Sequence, residues 1–175
     1  MKAILKLIFS ILFLGLFALI LYGLVTRISR KSVTSKNIQH LPLFSFSTLN
    51  GQTFNSSEIK EGPVILVYFN PECDHCQFQI EELSHNLDSF PGLKIILVSP
   101  ADRDLVSVFL EGRFKNPGLN VTVLFDDSLK FESCFGKQSV PSLFIYDKKL
   151  RLVRLFNGEV KSETLTKYLE DVNCN

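Results

Sequence analysis

Four cysteines stand at positions 73, 76, 134 and 174, and two of them share the motif Cys73-Asp74-His75-Cys76. A Cys-x-x-Cys pair can exchange disulfides or ligate a metal, and structural zinc requires four ligands. The remaining candidates, Cys134, Cys174, His40 and His85, form no second CxxC and no HxxxH. No metal and no cofactor is therefore expected, with His40 read as a linker residue and His85 as a helix-surface residue. The exchange reading gains from local placement. Val64 to Phe69 is a continuous apolar run of the kind that forms a strand covered on both faces. Cys76, Ile80, Leu83 and Leu87 then recur at spacings of four, three and four, one stripe of an amphipathic helix. Free N–H groups and the positive dipole end at a helix start favour a thiolate, the species that attacks a disulfide. Cys73 is thus the expected exposed nucleophile. Cys76, one turn in, is the expected resolving thiol that closes a redox-active Cys73–Cys76 disulfide and releases the product. His75 is placed to donate to the Cys73 thiolate or to favour it as an imidazolium, whereas Glu72 and Asp74 act against it by like charge.

Other elements must hold this pair in place. Phe44 to Leu49 alternates like a strand, and Asn50-Gly51 is a hairpin-type turn leading to Thr53-Phe54. Ser56 or Ser57 before Glu58-Ile59-Lys60 predicts a capped single helical turn, broken at Gly62-Pro63. Lys94 to Val98 is a second buried strand. Pro100 to about Glu111 is a helix with Leu105, Val106, Phe109 and Leu110 inward, and Val121 to Phe125 is a third strand. Asp127 or Ser128 caps a short helix to Cys134-Phe135. Ser142–Tyr146 and Leu152–Phe156 form a hairpin across Asp147-Lys148-Lys149, and Ser162 caps a last helix through Val172. The order β-α-β-α-β-α-β-β-α after an N-terminal hairpin describes an α/β or α+β sandwich around a mixed sheet.

The 46% hydrophobic content owes most of its excess to the first 25 residues. Residues 7–25 carry no charge, with Lys2 and Lys6 before them and Arg27, Arg30 and Lys31 after. At about 1.5 Å per residue this run reaches roughly 28 Å, close to the ~30 Å hydrocarbon core. It is longer than a signal-peptide core and has no Ala-x-Ala-like site, so it reads as an uncleaved membrane anchor in preference to a cleaved signal. The expected organisation is an anchor at 1–28, a Ser-, Lys- and Asn-rich linker at 29–40 and one globular domain at 41–175. Flanking charge alone does not orient the anchor. Residues 1–31 hold five of the 19 Lys and Arg and no acid, so the remainder carries 14 basic against 18 acidic residues. A mildly acidic body without a basic run excludes nucleic acid as an expected partner.

The run from Val64 to Leu83 (VILVYFNPECDHCQFQIEEL) resembles the active-site strand and helix of the thioredoxin superfamily, and Ser139-Val140-Pro141-Ser142 resembles its cis-proline loop. Phe44 to Glu61 resembles the N-terminal hairpin of the redoxin branch, which holds the TlpA/ResA-like membrane-anchored thiol–disulfide oxidoreductases and the peroxiredoxins. The likeness covers about Leu41 to Val172. It implies a thioredoxin-like α/β fold, a central mixed sheet flanked by helices with an N-terminal β-hairpin extension, preceded here by one transmembrane helix. It also implies a cis Pro141 lying against the disulfide, with the Val140 backbone left to pair with a substrate strand beside Cys73.

The departures narrow the expectation. The chain has no Trp, and Glu72 and Phe69 stand near Cys73 where thioredoxins carry tryptophans. Val67 occupies the position of the buried Asp of cytoplasmic thioredoxins, leaving Glu72 as a substitute only if its carboxylate folds back toward Cys76. Asn70 stands where a peroxiredoxin has its threonine, which makes a peroxidase the weaker reading. The expected activity is thiol–disulfide exchange with protein substrates on the extracytoplasmic side, in a monomer held to the membrane by its N-terminal helix. The anchored members of the family imply a reductase with a dedicated redox partner protein, while the His75-containing centre resembles oxidising members. A copper-delivery module on the same fold is the alternative from another class, since soft thiolates suit Cu(I). For Cys134 and Cys174 two readings stand: a disulfide tying down the tail, or a buried Cys134 and an unrelated tail thiol.

Overall fold

The computed structural model describes residues 6, 12–23, 38–86, 92–114 and 120–173. The chain divides into two units, residues 1–36 and 37–175. In the first, residues 12–23 form a helix, α1, whose Leu12, Phe13 and Leu19 are exposed. The rest of the apolar run, residues 7–11 and 24–25, lies outside the described residues, as does the expected linker up to residue 37. Among the described residues no helix is long and apolar enough to cross a membrane.

The second unit is built on seven strands: β1 (Ser45–Thr48), β2 (Thr53–Asn55), β3 (Val64–Tyr68), β4 (Lys94–Ser99), β5 (Asn120–Phe125), β6 (Ser142–Tyr146) and β7 (Leu152–Asn157). They form one sheet in the order β2-β1-β5-β4-β3-β6-β7. The three central strands β5, β4 and β3 are parallel and the outer pairings antiparallel. The helices are α2 (Asp74–Asn86), α3 (Arg103–Leu110), α4 (Phe131–Phe135) and α5 (Ser162–Asn173), with a single 3-10 turn at Ser56–Glu58.

The unbroken apolar stretch of β3 is explained by cover on both faces. Because side chains alternate along a strand, Ile65, Val67 and Phe69 enter one layer with Cys76, Ile80 and Leu83 of α2 and Leu165, Leu169 and Val172 of α5. Val64 and Leu66 enter the other with Phe44, Phe46, Phe131, Phe135 and Phe144. The Phe-rich second layer includes a close stack of Phe131 on Phe135, centroids 4.4 Å apart. β4 and β6 divide in the same way, so the sheet is the wall between two cores.

Several local expectations change. The body takes in residues 38–40, placed by the sequence in the linker: Ile38 is buried, and His40 bridges Arg151. The helix α3 starts at Arg103, with Asp102 accepting the Asp104 and Leu105 N–H groups; Val106 is buried and Phe109 and Leu110 pack on the core, but Leu105 is 40% exposed. Neither Asp127 nor Ser128 is the N-cap of α4: that position is Lys130, and the carboxylate of Asp126 accepts from the Lys130 (2.7 Å) and Phe131 (3.0 Å) N–H groups. Its neighbour Asp127 instead takes a bidentate contact from Arg103 at 2.8 and 2.7 Å. Leu87, the last residue of the proposed α2 stripe, lies outside the described residues.

Candidate active site

The parallel strands β3, β4 and β5 end at one edge of the sheet, the edge at which open α/β sheets place their sites. Beyond β3 the Phe69 N–H still donates to the Val98 carbonyl (3.0 Å), which carries the chain to that edge under sheet control. Asn70 then ties the turn in three ways. Its carbonyl accepts from the Cys73 N–H (3.1 Å), its Oδ1 accepts from the Glu72 N–H (3.0 Å), and its own N–H points at Cys76 Sγ (3.5 Å). Gln77 adds a further tie, its Nε2 donating to the Pro71 carbonyl at 2.8 Å.

Cys73 sits immediately before α2, and its carbonyl accepts from the Cys76 (2.9 Å) and Gln77 (3.0 Å) N–H groups. This is the N-cap position, beside the unpaired N–H groups of the first turn. Its thiol is half-buried and lies 3.9 Å from the Val140 carbonyl oxygen. The Val140–Pro141 peptide is cis, as the resemblance implies, and Val140 is partly exposed. Cys76 is completely buried among Val67, Phe69, Ile80 and Leu83. Burial pushes its thiol up to about 12, the Asn70 N–H opposes the rise, and the neighbouring Cys73 thiol adds to it. Neither sulfur is bonded to another.

Glu72 is exposed, and its N–H is the group engaged in the turn. His75 is on the first turn of α2 with its side chain 72% exposed, and its Nδ1 lies 2.8 Å from Glu159 Oε2. Glu159 was not foreseen. Two further contacts join the same elements: Gln79 Oε1 accepts the Val160 N–H and Glu82 Oε2 the Ser162 N–H, each at 2.7 Å. His75, Gln79 and Glu82 are spaced four and three apart, so one stripe of α2 grips the segment between β7 and α5. Gln79, which the sequence did not single out, is fully buried beside the apolar stripe.

Cys134 is a free, half-buried thiol on α4, and Cys174 lies outside the described residues. His85 is exposed at the end of α2. Among the described residues no cluster of three or more His, Cys, Asp or Glu side chains is arranged to hold a metal ion.

A mixed seven-stranded sheet with an N-terminal hairpin, a CxxC pair opening the first helix and a cis-proline loop beside it define a thioredoxin-like protein. Within that class the chain belongs to the AhpC/TSA family, whose model matches residues 38–154. It is 23% identical over 133 residues to proteins named thiol-disulfide oxidoreductase ResA from Bacillus thuringiensis (strain Al Hakam) and Bacillus anthracis, covering 75% of each chain. Among solved structures it is similar to a secreted Mycobacterium tuberculosis disulfide oxidoreductase (TM-score 0.63, 19% identity, 78% of this chain and 98% of that one). It is also similar to a secreted thiol-disulfide isomerase from Corynebacterium glutamicum (TM-score 0.66, 19% identity, 77% and 86%). These two likenesses concern the fold.

Proposed function

We propose that this protein is a thiol–disulfide oxidoreductase acting on protein substrates, with Cys73 as the attacking thiol and Cys76 as the resolving one. The observation that carries this reading is the inequality of the two sulfurs. Cys73 is reachable, at a helix N-cap and beside the Val140 carbonyl, whereas Cys76 is buried with its thiol pushed up to about 12. A thiol of that kind stays protonated until a mixed disulfide forms above it, which assigns it the second step. The Val140 backbone offers an extended substrate segment a pairing partner next to Cys73.

The names of the relatives support the activity, and the secreted relatives support an extracytoplasmic location. In this reading residues 1–28 anchor the chain in the membrane, and the redox body acts outside the cytoplasm as a monomer. Val67 leaves the floor under Cys76 without an acid, which favours a reductase serving a dedicated partner over a general thioredoxin.

Trapping tests the assignment. A Cys76→Ser protein, unable to resolve, should accumulate mixed disulfides through Cys73, and a Cys73→Ser protein should accumulate none. Equal trapping by Cys73→Ser would overturn it. A reduction potential near about −270 mV supports a reductant, and one near about −120 mV an oxidant.

A further inference from the structure

Disulfide exchange moves protons as well as electrons, and the described interior offers no acid or base near Cys76. Its neighbours are apolar. The two buried carboxylates among the described residues are committed elsewhere: Asp126 takes the first N–H groups of α4, and Asp147 binds the N–H groups of the β6–β7 turn. An imidazole stands at the rim, on the first turn of α2. His75 is two residues from Cys73, and Glu159 holds its Nδ1 at 2.8 Å. A carboxylate can only accept, so Nδ1 carries the proton and Nε2 is the ring nitrogen left to exchange one.

An exposed ion pair is ordinarily worth little, but this one is built into a larger fastening. The backbone that follows Glu159 is fixed to the same face of α2 by Gln79 through Val160 and by Glu82 through Ser162. The carboxylate is therefore delivered to the imidazole by a segment pinned at two further points, the arrangement that orients a working histidine.

We infer that Glu159 is a positioning residue that orients His75 as the proton relay for the exchange at Cys73. The inference rests on the reading of Cys73 and Cys76 given above. In the first step the Cys73 thiol passes its proton to His75 Nε2, directly or through one water. The Cys73 sulfur then bonds to one substrate sulfur, the substrate S–S bond breaks, and the departing thiolate takes the proton from the imidazolium. In the second step the Cys76 sulfur bonds to the Cys73 sulfur, the bond from Cys73 to the substrate breaks, and the Cys76 proton passes through one water to the substrate sulfur, which leaves as a thiol. Two electrons and two protons pass from the cysteines to the substrate.

The test uses the reduced full chain in detergent and two disulfides. Oxidised glutathione releases a weakly acidic thiol that needs a proton as it leaves. An aromatic dithiobis-nitrobenzoate releases a thiolate stable without one. His75→Gln and Glu159→Gln should each slow reduction of oxidised glutathione about tenfold, less than an enclosed general acid supplies because water competes at an exposed ring. Both should slow reduction of the aromatic disulfide less, by about threefold at most, because there the ring only takes the Cys73 proton and the leaving group needs none. The double variant should be no slower than His75→Gln alone, as expected of residues acting as a unit, and Glu159→Asp should recover most of the rate. Equal slowing toward both disulfides, additive effects, or no effect would overturn the inference. Failure of the underlying reading would look different: Cys73→Ser would then reduce either disulfide as fast as the unchanged protein.

Discussion

The Cys73 sulfur faces the Val140 carbonyl oxygen at 3.9 Å, across the mouth of the site. These residues are 67 positions apart, and what joins them is the sheet: β3 leads to Cys73, and its antiparallel neighbour β6 starts just after Pro141. The pairing of Tyr68 with Ser142 brings the end of one strand beside the start of the other. A substrate segment lying along Val140 would thus present its disulfide to Cys73 and not to the thiol beneath.

That geometry predicts an order of modification. Brief treatment of the reduced chain with iodoacetamide should label Cys73 at least about tenfold ahead of Cys76, because reaction needs both access and thiolate. Cys134, half-buried on α4, serves as an internal comparison. Peptide mass spectrometry reads all three sites, and the order should vanish in denaturant. Equal labelling of Cys73 and Cys76 in the folded chain would contradict the burial of Cys76.

A second prediction concerns Gly62, which precedes Pro63 and donates its N–H to the Lys148 carbonyl at 3.1 Å. A Cβ there would collide with the Asp147 carbonyl oxygen, a backbone atom that cannot swing aside. Gly62→Ala should therefore lower the unfolding free energy by about 1–3 kcal/mol, measured by urea titration. Exchange activity per folded molecule should be unchanged, since the contact lies at the end of β3 opposite the cysteines.

The parts of this structure legible in the sequence are those with a local period. Val64 to Phe69 could be read as a doubly covered strand, and Cys76, Ile80 and Leu83 as one helix face, because burial imposes a spacing on neighbouring residues. Two features escaped for lack of any such spacing. Glu159 meets His75 across 84 positions, brought there by the fastening of the segment between β7 and α5 onto α2. Asp126 rather than Asp127 takes the first N–H groups of α4 because β5 ends at Phe125, where the Asp126 N–H still bonds the Ser99 carbonyl and holds the residue at the strand end. Leu105 lies about 100° round α3 from the buried Val106, at the margin of the inward face, and an apolar residue type does not separate the margin of a face from its centre.

The β6–β7 turn supplies a third prediction. Burial raises the Asp147 carboxyl, but the N–H and guanidinium of Arg151 and the N–H of Lys149 outweigh it and hold the group below the ordinary carboxylate range. A carboxyl lowered by folding stabilises the protein at pH values above its unfolded value near 3.8, and that contribution is lost as pH falls through the lower folded value. Asp147→Asn should therefore destabilise the chain at pH 6 and flatten its loss of stability between pH 5 and pH 3. Urea midpoints at those pH values decide it, and a variant with the same acid slope as the unchanged protein would contradict the assignment.

At the alkaline end the two redox forms should part company. Cys76 has an ordinary thiol value of 9.0 in the unfolded chain and about 12 when folded. Between those values the folded chain keeps a proton that the unfolded chain has lost, so the stability of the reduced protein falls as pH rises. For one proton the slope is at most about 1.4 kcal/mol per pH unit. The buried phenol of Tyr146 is also pushed up by burial, and Tyr68 by burial and by the charges of Asp126 and Glu132, so both forms share a phenolic contribution. The oxidised protein has no Cys76 thiol to titrate. Urea unfolding of the reduced chain under a phosphine reductant and of the oxidised chain, from pH 8 to pH 10.5, should thus give curves that diverge with the reduced form falling faster. Cys76→Ser should follow the shallower oxidised slope. Parallel curves would mean that the Cys76 thiol is not sealed in the reduced protein, and the division of labour between the two cysteines would lose its physical basis.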